Sequence, residues 1–188
     1  MKLVPLGVSA RHIHLSKEHV GVLYGTGYEL TVFKPLSQPA QFAAQEVVSI
    51  EGPRGKMDKV RVLGPARGQT QLEISRTDCF TLGVNAPLRQ SGNIEGTPGI
   101  RLIGPAGSIT LEQGVIVAAR HIHFHTADAA RWGIHDQQML EVKMKGERPL
   151  IFGEVLARVS DFFATEMHLD TDEANAAGVK TGDQGEIV

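Results

Sequence analysis

Short stretches in which apolar and polar residues alternate, broken by glycine and proline, run along most of this chain. Period-two alternation marks a strand with one buried face. It predicts strands over Glu29 to Phe33, Glu46 to Ile50, Lys59 to Leu63, Gln71 to Ile74, Gly99 to Ile103, Ser108 to Leu111 and Met139 to Val142. The pairs Gly52-Pro53, Gly64-Pro65 and Gly104-Pro105 supply turns between them. Strands this short, at spacings of about 10 residues, point to barrels or sandwiches rather than a layered α/β sheet. The predicted helices are brief: Ser16 to Leu23, Ala127 to Trp132, and Thr171 to Ala177, with Asp170 or Thr171 as cap and Gly178 as the stop. Gly25 to Gln45 reads as an insertion, because Pro35 and Pro39 argue against a regular central strand.

An internal repeat changes the picture. Val8 to Leu15 and Val117 to Phe124 carry the same Arg-His-Ile-His core, at Arg11 to His14 and at Arg120 to His123. Each copy is followed by a helix-like stretch, Lys17 to Tyr24 or Thr126 to Trp132, then a glycine and a further β-type run. Two related halves are expected. One copy stands at the start of the chain while the other opens its last part, so the domains are expected to be discontinuous, with a strand exchanged between halves.

Composition narrows the class. With 188 residues, 41% apolar and 21% charged, the chain has the balance of a soluble globular protein and enough length for a sizeable core. No stretch reads as a membrane span, and Met1 to Ala10 has no charged segment leading into an apolar run, so cytoplasmic residence is the expectation. Cys79 is the single cysteine, which excludes an intramolecular disulfide. The net charge is −2 and basic residues are dispersed, so no nucleic-acid footprint appears. The 8 histidines fall mostly in two short stretches, which points to metal.

On a strand, residues at i and i+2 face the same way. His12 with His14, and His121 with His123, therefore each set two imidazoles side by side, while Ile13 and Ile122 turn to the core. Imidazole with carboxylate suits Zn²⁺ better than Mg²⁺ or Ca²⁺. His168, between Met167 and Leu169, is placed to complete a site. Glu73 alternates with Leu72 and Ile74 and points away from the core, where solvent exposure or ligation are both open. Arg67, in the predicted loop Gly64 to Gly68, offers a guanidinium fork to an oxyanion. His19, His125 and His135 lie among polar neighbours and are read as solvated.

Val8 to Leu15, Gly64 to Arg67, Leu72 to Asp78, Leu88 to Gly92 and Ala119 to His123 together resemble the PduL-type phosphotransacylases, or phosphate propanoyltransferases, nearly end to end. The resemblance implies two β-barrel domains with short capping helices and a two-zinc site between them. It implies one barrel from residues 1–10 with 119–188 and another from 11–118, the latter holding the insertion at about 25–45. One zinc would be held by His12, His14 and Glu73, the other by His121, His123 and His168. Arg67 would bind phosphate. Ser9, Lys34, Arg61, Leu63 and Asn175 would contact coenzyme A, and Phe80 would line an apolar acyl pocket. Members of bacterial microcompartments carry an N-terminal encapsulation helix; here the motif begins at Val8, so that helix is expected to be absent, although residence in a microcompartment lumen stays open. A homodimer is implied as well.

The implied reaction exchanges acyl-CoA and phosphate for acyl phosphate and CoA, reversibly, with propanoyl-CoA or acetyl-CoA as the acyl donor. Direct attack by phosphate needs no protein nucleophile, so Cys79 is not expected to carry the acyl group. Two rival readings use the same histidines: a zinc hydrolase, for which the chain is short of the length and helices of a (β/α)₈ barrel, and a non-catalytic module in which zinc only staples small barrels.

Overall fold

The alternation is realised in fifteen strands and four short helices of a computed structural model that describes residues 1–188. In chain order they are β1 (Lys2–Ser9), β2 (His12–Ser16), α1 (Lys17–Tyr24), β3 (Val32–Pro35), β4 (Phe42–Glu51), β5 (Lys56–Arg67), β6 (Gln71–Glu73), α2 (Arg76–Leu82), β7 (Leu88–Arg89), β8 (Arg101–Ile103), β9 (Ser108–Thr110) and β10 (Val115–Ala118). There follow β11 (His121–Phe124), α3 (Thr126–Trp132), β12 (Met139–Met144), β13 (Leu150–Val159), β14 (Glu166–Asp170), α4 (Thr171–Ala177) and β15 (Gln184–Ile187). The chain forms two compact units. The first comprises Met1–Ala10, Ser37–Pro39 and Ala119–Val188; the second comprises Arg11–Leu36 and Ala40–Ala118.

In the first unit six strands close into a barrel in the order β1-β14-β11-β13-β12-β15, with β1 parallel to β14 and antiparallel to β15. Along β12, Leu140, Val142 and Met144 point inward while Met139, Glu141 and Lys143 face solvent, the alternation that a closed sheet demands. Leu6, Ile122, Phe124, Val155 and Met167 fill the interior, all but fully buried. Burying one such side chain is worth about 1.5–3 kcal/mol. Short helices follow two of the strands. Asp170 and Glu173 form a capping box at α4, and Gly133 and Gly178 end α3 and α4 in the left-handed conformation. Ser37–Pro39 joins this unit through Gln38, whose amide nitrogen donates to Ala164 O at 2.9 Å while its oxygen accepts from Ala164 N at 3.3 Å.

The second unit is a sheet in the order β7-β10-β6-β2-β5-β4-β8-β9, with β3 added on β4. Its core collects Ile13, Leu15, Leu23, Ile50, Val62, Leu72, Leu82, Leu102 and Val115. Ser16 caps α1 by accepting from His19 N, and Ser75 and Asp78 form a capping box at α2. The expectation of a mainly β chain with short helices holds, and of the two sheets the first closes on itself while the second runs between two ends. No helix is long and apolar enough to cross a membrane.

Three local expectations need correction. β4 begins at Phe42, inside the stretch read as an insertion, and β3 lies there too, with Pro35 ending a fully exposed strand that pairs only with β4. Proline is tolerated at such a place because no second neighbour needs its missing N–H. β5 continues through Gly64 and Pro65 to Arg67 rather than turning there. A Cβ at Gly64 would lie 2.2 Å from the Phe42 ring, so glycine marks a close approach of two strands instead of a turn. Helix α2 was not foreseen, although Ser75-Arg76-Thr77-Asp78 followed by Gly83 is a start and a stop.

Candidate metal centres

Each unit assembles three donors from two neighbouring strands. In the second unit His12 and His14 share one face of β2, with fully buried Ile13 between them on the other. β6 runs antiparallel beside β2 and sets Glu73 opposite His12. His12 Nε2 stands 3.4 Å from Glu73 Oε2 and the His12 and His14 rings meet edge-on at 5.2 Å. In the first unit His121 and His123 share a face of β11, and β14 sets His168 opposite His121. Those three rings lie with centroids 4.6, 4.9 and 5.1 Å apart. Within each trio the donor atoms lie within 4.8 Å of one another.

Electrostatics keeps these groups ready as ligands. Burial, then the charge of Arg67 and that of His12, lowers the His14 pKa to about 3, so its imidazole is neutral over the working range. Burial alone would raise the pKa of Glu73, but the charge and hydrogen bond of His12 outweigh it and hold the carboxyl well below the usual carboxylate range. His14 Nδ1 is buried without a hydrogen-bond partner. An orphaned imidazole nitrogen costs about 1–3 kcal/mol unless something fills it, and a cation at that point would. His121 Nδ1 lies 2.9 Å from Ala119 O. Donation to that carbonyl leaves the lone pair on Nε2, the arrangement that ligating histidines adopt.

The donor sets, two imidazoles with a carboxylate and three imidazoles, fit Zn²⁺. Donors about 2.0–2.2 Å from one zinc are spaced by less than about 4 Å, so small adjustments suffice. Three donors per group leave one tetrahedral position for another molecule.

Both centres are braced in the same way. Arg11, just before His12, grips Asp78 through Nε at 2.9 Å and Nη2 at 2.7 Å. Arg120, just before His121, meets Glu173 at 2.7 Å. Asp78 and Glu173 are each the acid of the capping box on the helix that follows Glu73 or His168. Each arginine thus ties the strand bearing the histidine pair to the junction bearing the third donor. Burial raises the pKa of Glu173 and Arg120 offsets part of that.

The remaining expected site residues are dispersed. Arg67 ends β5, in register with Ser16, and lines a cavity of about 830 Å³ together with Lys17, His19, Thr70 and Leu111. Arg61 donates to Ala44 O at 2.8 Å and Gln45 O at 2.9 Å and lies over the Phe33 ring, beside partly buried Leu63 and near the exposed edge strand with Lys34. Phe80 stands 77% exposed on α2. Ser9 and Asn175 belong to the first unit, Ser9 half-buried on β1 and Asn175 exposed on α4. Two histidines read as solvated have structural partners instead. His19 Nδ1 bonds Thr70 Oγ1 at 2.7 Å, and His125 caps α3 by accepting from Ala127 N.

Sequence reasoning missed Gln71, Ser91 and Glu166, which touch the third donors. Gln71 Nε2 donates to Glu73 Oε1 at 2.7 Å, Ser91 Oγ donates to the same oxygen at 2.9 Å, and Glu166 Oε2 lies 3.1 Å from His168 Nε2. A polar residue two places before a donor on a strand is the signal that marks two of them.

A family model described as phosphate propanoyltransferase matches residues 5–180. A phosphate propanoyltransferase of Thermotoga maritima is 56% identical over 184 residues, covering 97% of this chain and 88% of its own length. One from Listeria monocytogenes is 50% identical, covering 98% and 87%. Another, from Rhodopseudomonas palustris, is 50% identical and covers 96% and 80%.

Proposed function

This chain belongs to the phosphate propanoyltransferase family and is an acyltransferase of the phosphotransacylase kind, and on that premise we propose that it exchanges propanoyl-CoA and inorganic phosphate for propanoyl phosphate and CoA, reversibly, with zinc at both three-donor centres. The observation that carries this reading is the pair of donor trios, two buried histidines and a partly buried third donor in each, with atoms within 4.8 Å and each one donor short of a tetrahedron.

In the forward direction a phosphate oxygen attacks the thioester carbonyl carbon, a C–O bond forms, the C–S bond breaks, and the CoA sulfur leaves as thiolate and takes a proton. His12, His14 and Glu73 would hold one zinc, and His121, His123 and His168 the other. Bound zinc supplies Lewis acidity toward a carbonyl oxygen and a departing thiolate. Arg67 holds phosphate: its guanidinium fork matches two phosphate oxygens, and its place in the lining of a cavity of about 830 Å³ gives it access to a diffusing anion. Burial keeps the His14 imidazole neutral and His12 keeps the Glu73 carboxyl ionised, without any change of protonation during turnover. Ser9, Lys34, Arg61, Leu63 and Asn175 as coenzyme A contacts, and Phe80 against the acyl chain, belong to the same proposal and rest on the family resemblance. So do acetyl-CoA as a second donor and a homodimer.

The test is thiol release from propanoyl-CoA by the zinc-loaded protein, with and without phosphate. Release that depends on phosphate and stops on chelation is expected. Equal release without phosphate would make the protein a thioester hydrolase, and none under either condition would leave a module that only binds metal.

A further inference from the structure

The two trios differ in their third donor, a carboxylate in one unit and an imidazole in the other, and the residue that touches that donor differs with it. Gln71 precedes Glu73 by two places on β6 and lies opposite His14. Glu166 precedes His168 by two places on β14 and lies opposite His123. The strand contexts also match, since β2 pairs β5 in parallel and β6 antiparallel, just as β11 pairs β13 in parallel and β14 antiparallel. The positions are therefore equivalent, and their chemistry is reversed. A carboxylate donor faces an amide N–H, whereas an imidazole donor faces a carboxylate.

We propose that Gln71 and Glu166 are matched positioning residues, Gln71 through a hydrogen bond to its own third metal donor and Glu166 through a carboxylate set against its own; this rests on the zinc reading above. Gln71 is 3% exposed. Its nitrogen donates to Glu73 Oε1 at 2.7 Å and Ser91 Oγ at 2.8 Å, and its oxygen accepts from Gly92 N at 2.7 Å. That last bond fixes which end of the amide faces the carboxylate. With Oε1 engaged by Gln71 and Ser91, Glu73 keeps Oε2, the oxygen on the His12 side, for a cation. Glu73 is thereby made a one-oxygen ligand.

Glu166 is equally prepared. Ser37 donates to its Oε2, and a Cβ on Gly7, which lies opposite His168, would come within 3.0 Å of the Glu166 carboxyl. Glycine at that place leaves room for the carboxylate. His168 Nε2 is buried without an aligned hydrogen bond, 3.1 Å from Glu166 Oε2, so the carboxylate sets negative charge beside the donor that would hold a cation.

The experiment measures zinc affinity by competition with a chromogenic chelator, for the wild-type protein and for Gln71→Ala, Gln71→Glu, Glu166→Ala and Glu166→Gln. The thermal midpoint of each zinc-free protein is recorded alongside. Each alanine variant should hold one of two zinc equivalents 10- to 100-fold more weakly, the range for loss of such partners, and keep the other. Glu166→Gln should recover little of the affinity, because the amide keeps the shape of the side chain and loses its charge. Gln71→Glu, nearly isosteric, should be worse than Gln71→Ala, because it sets a like charge against Glu73. Wild-type affinity at both equivalents in the alanine variants overturns the assignment. So does a loss of both equivalents that tracks a lower zinc-free midpoint, since that is a folding effect. A wild-type protein that binds no zinc overturns the metal reading itself, a result distinguishable from either of these.

Discussion

Removing Arg11 tests whether burial or proximity gives an ion pair its strength. Arg11 and Asp78 meet at 2.7 Å, with side chains 42% and 3% exposed. Arg101 and Glu51 meet at 2.9 Å, but with side chains 50% and 41% exposed. Coulomb attraction at these distances differs little, so a difference in worth comes from desolvation together with the second hydrogen bond that Arg11 makes to Asp78. Exposed pairs couple by about 0.2–1 kcal/mol, whereas stripping a buried charge of its partner costs about 3–5 kcal/mol. Arg11 is itself more than a third exposed, and solvent screens its side of the pair, so the coupling expected lies between these, at about 2 kcal/mol. A double-mutant cycle with Arg11→Ala and Asp78→Ala isolates it, because the loss of the α2 capping box in Asp78→Ala is common to both arms and cancels. The assay is urea unfolding of the zinc-free protein followed by far-ultraviolet circular dichroism. The same cycle on Arg101 and Glu51 should give less than about 1 kcal/mol. Equal couplings in the two cycles, or a value near zero for Arg11 and Asp78, would refute the reasoning that burial sets the strength of this brace.

His123→Ala should lower bound zinc by one equivalent, measured by elemental analysis, and a full complement in that variant would remove His123 from the ligand set. Arg67→Ala should raise the KM for phosphate by about 10-fold or more, the loss of one charged hydrogen-bonding group at about 1.5–3 kcal/mol, with zinc content unchanged. For the zinc-free protein, His14 has a folded pKa of about 3 against an ordinary value near 6.5, so the unfolded chain binds a proton over that window that the native state refuses. Its contribution to stability is complete above about pH 6.5 and lost as the pH falls toward 3, at about 1.4 kcal/mol per pH unit for one proton; Glu73, also depressed, adds a loss of the same sign below its ordinary range. Urea unfolding at several pH values should show that slope, and His14→Asn should flatten it. Gly99→Ala should destabilise strongly, because its Cβ would sit 1.8 Å from Leu111 O, whereas Gly153→Ala, with open space around it, should change the midpoint little.

The sequence by itself determined what depends on local periodicity. Alternation around Ile13 and Ile122 sets His12 beside His14 and His121 beside His123, because a pleated strand turns every second side chain the same way. Ser16, Asp170 and Gly178 likewise mark helix ends through bonds that reach only three or four residues. Tertiary structure decided what depends on strand pairing. Glu73 looked like a surface residue until β6 came to lie beside β2, and the room that Glu166 has beside His168 exists only because Gly7 of β1 lies opposite His168. Gly64 looked like a turn and proved to be the point where Phe42 crosses β5. A residue's own neighbours in sequence fix which way it points, but which donor, charge or ring it then faces is set by register between strands far apart in the chain, and no local pattern encodes that register.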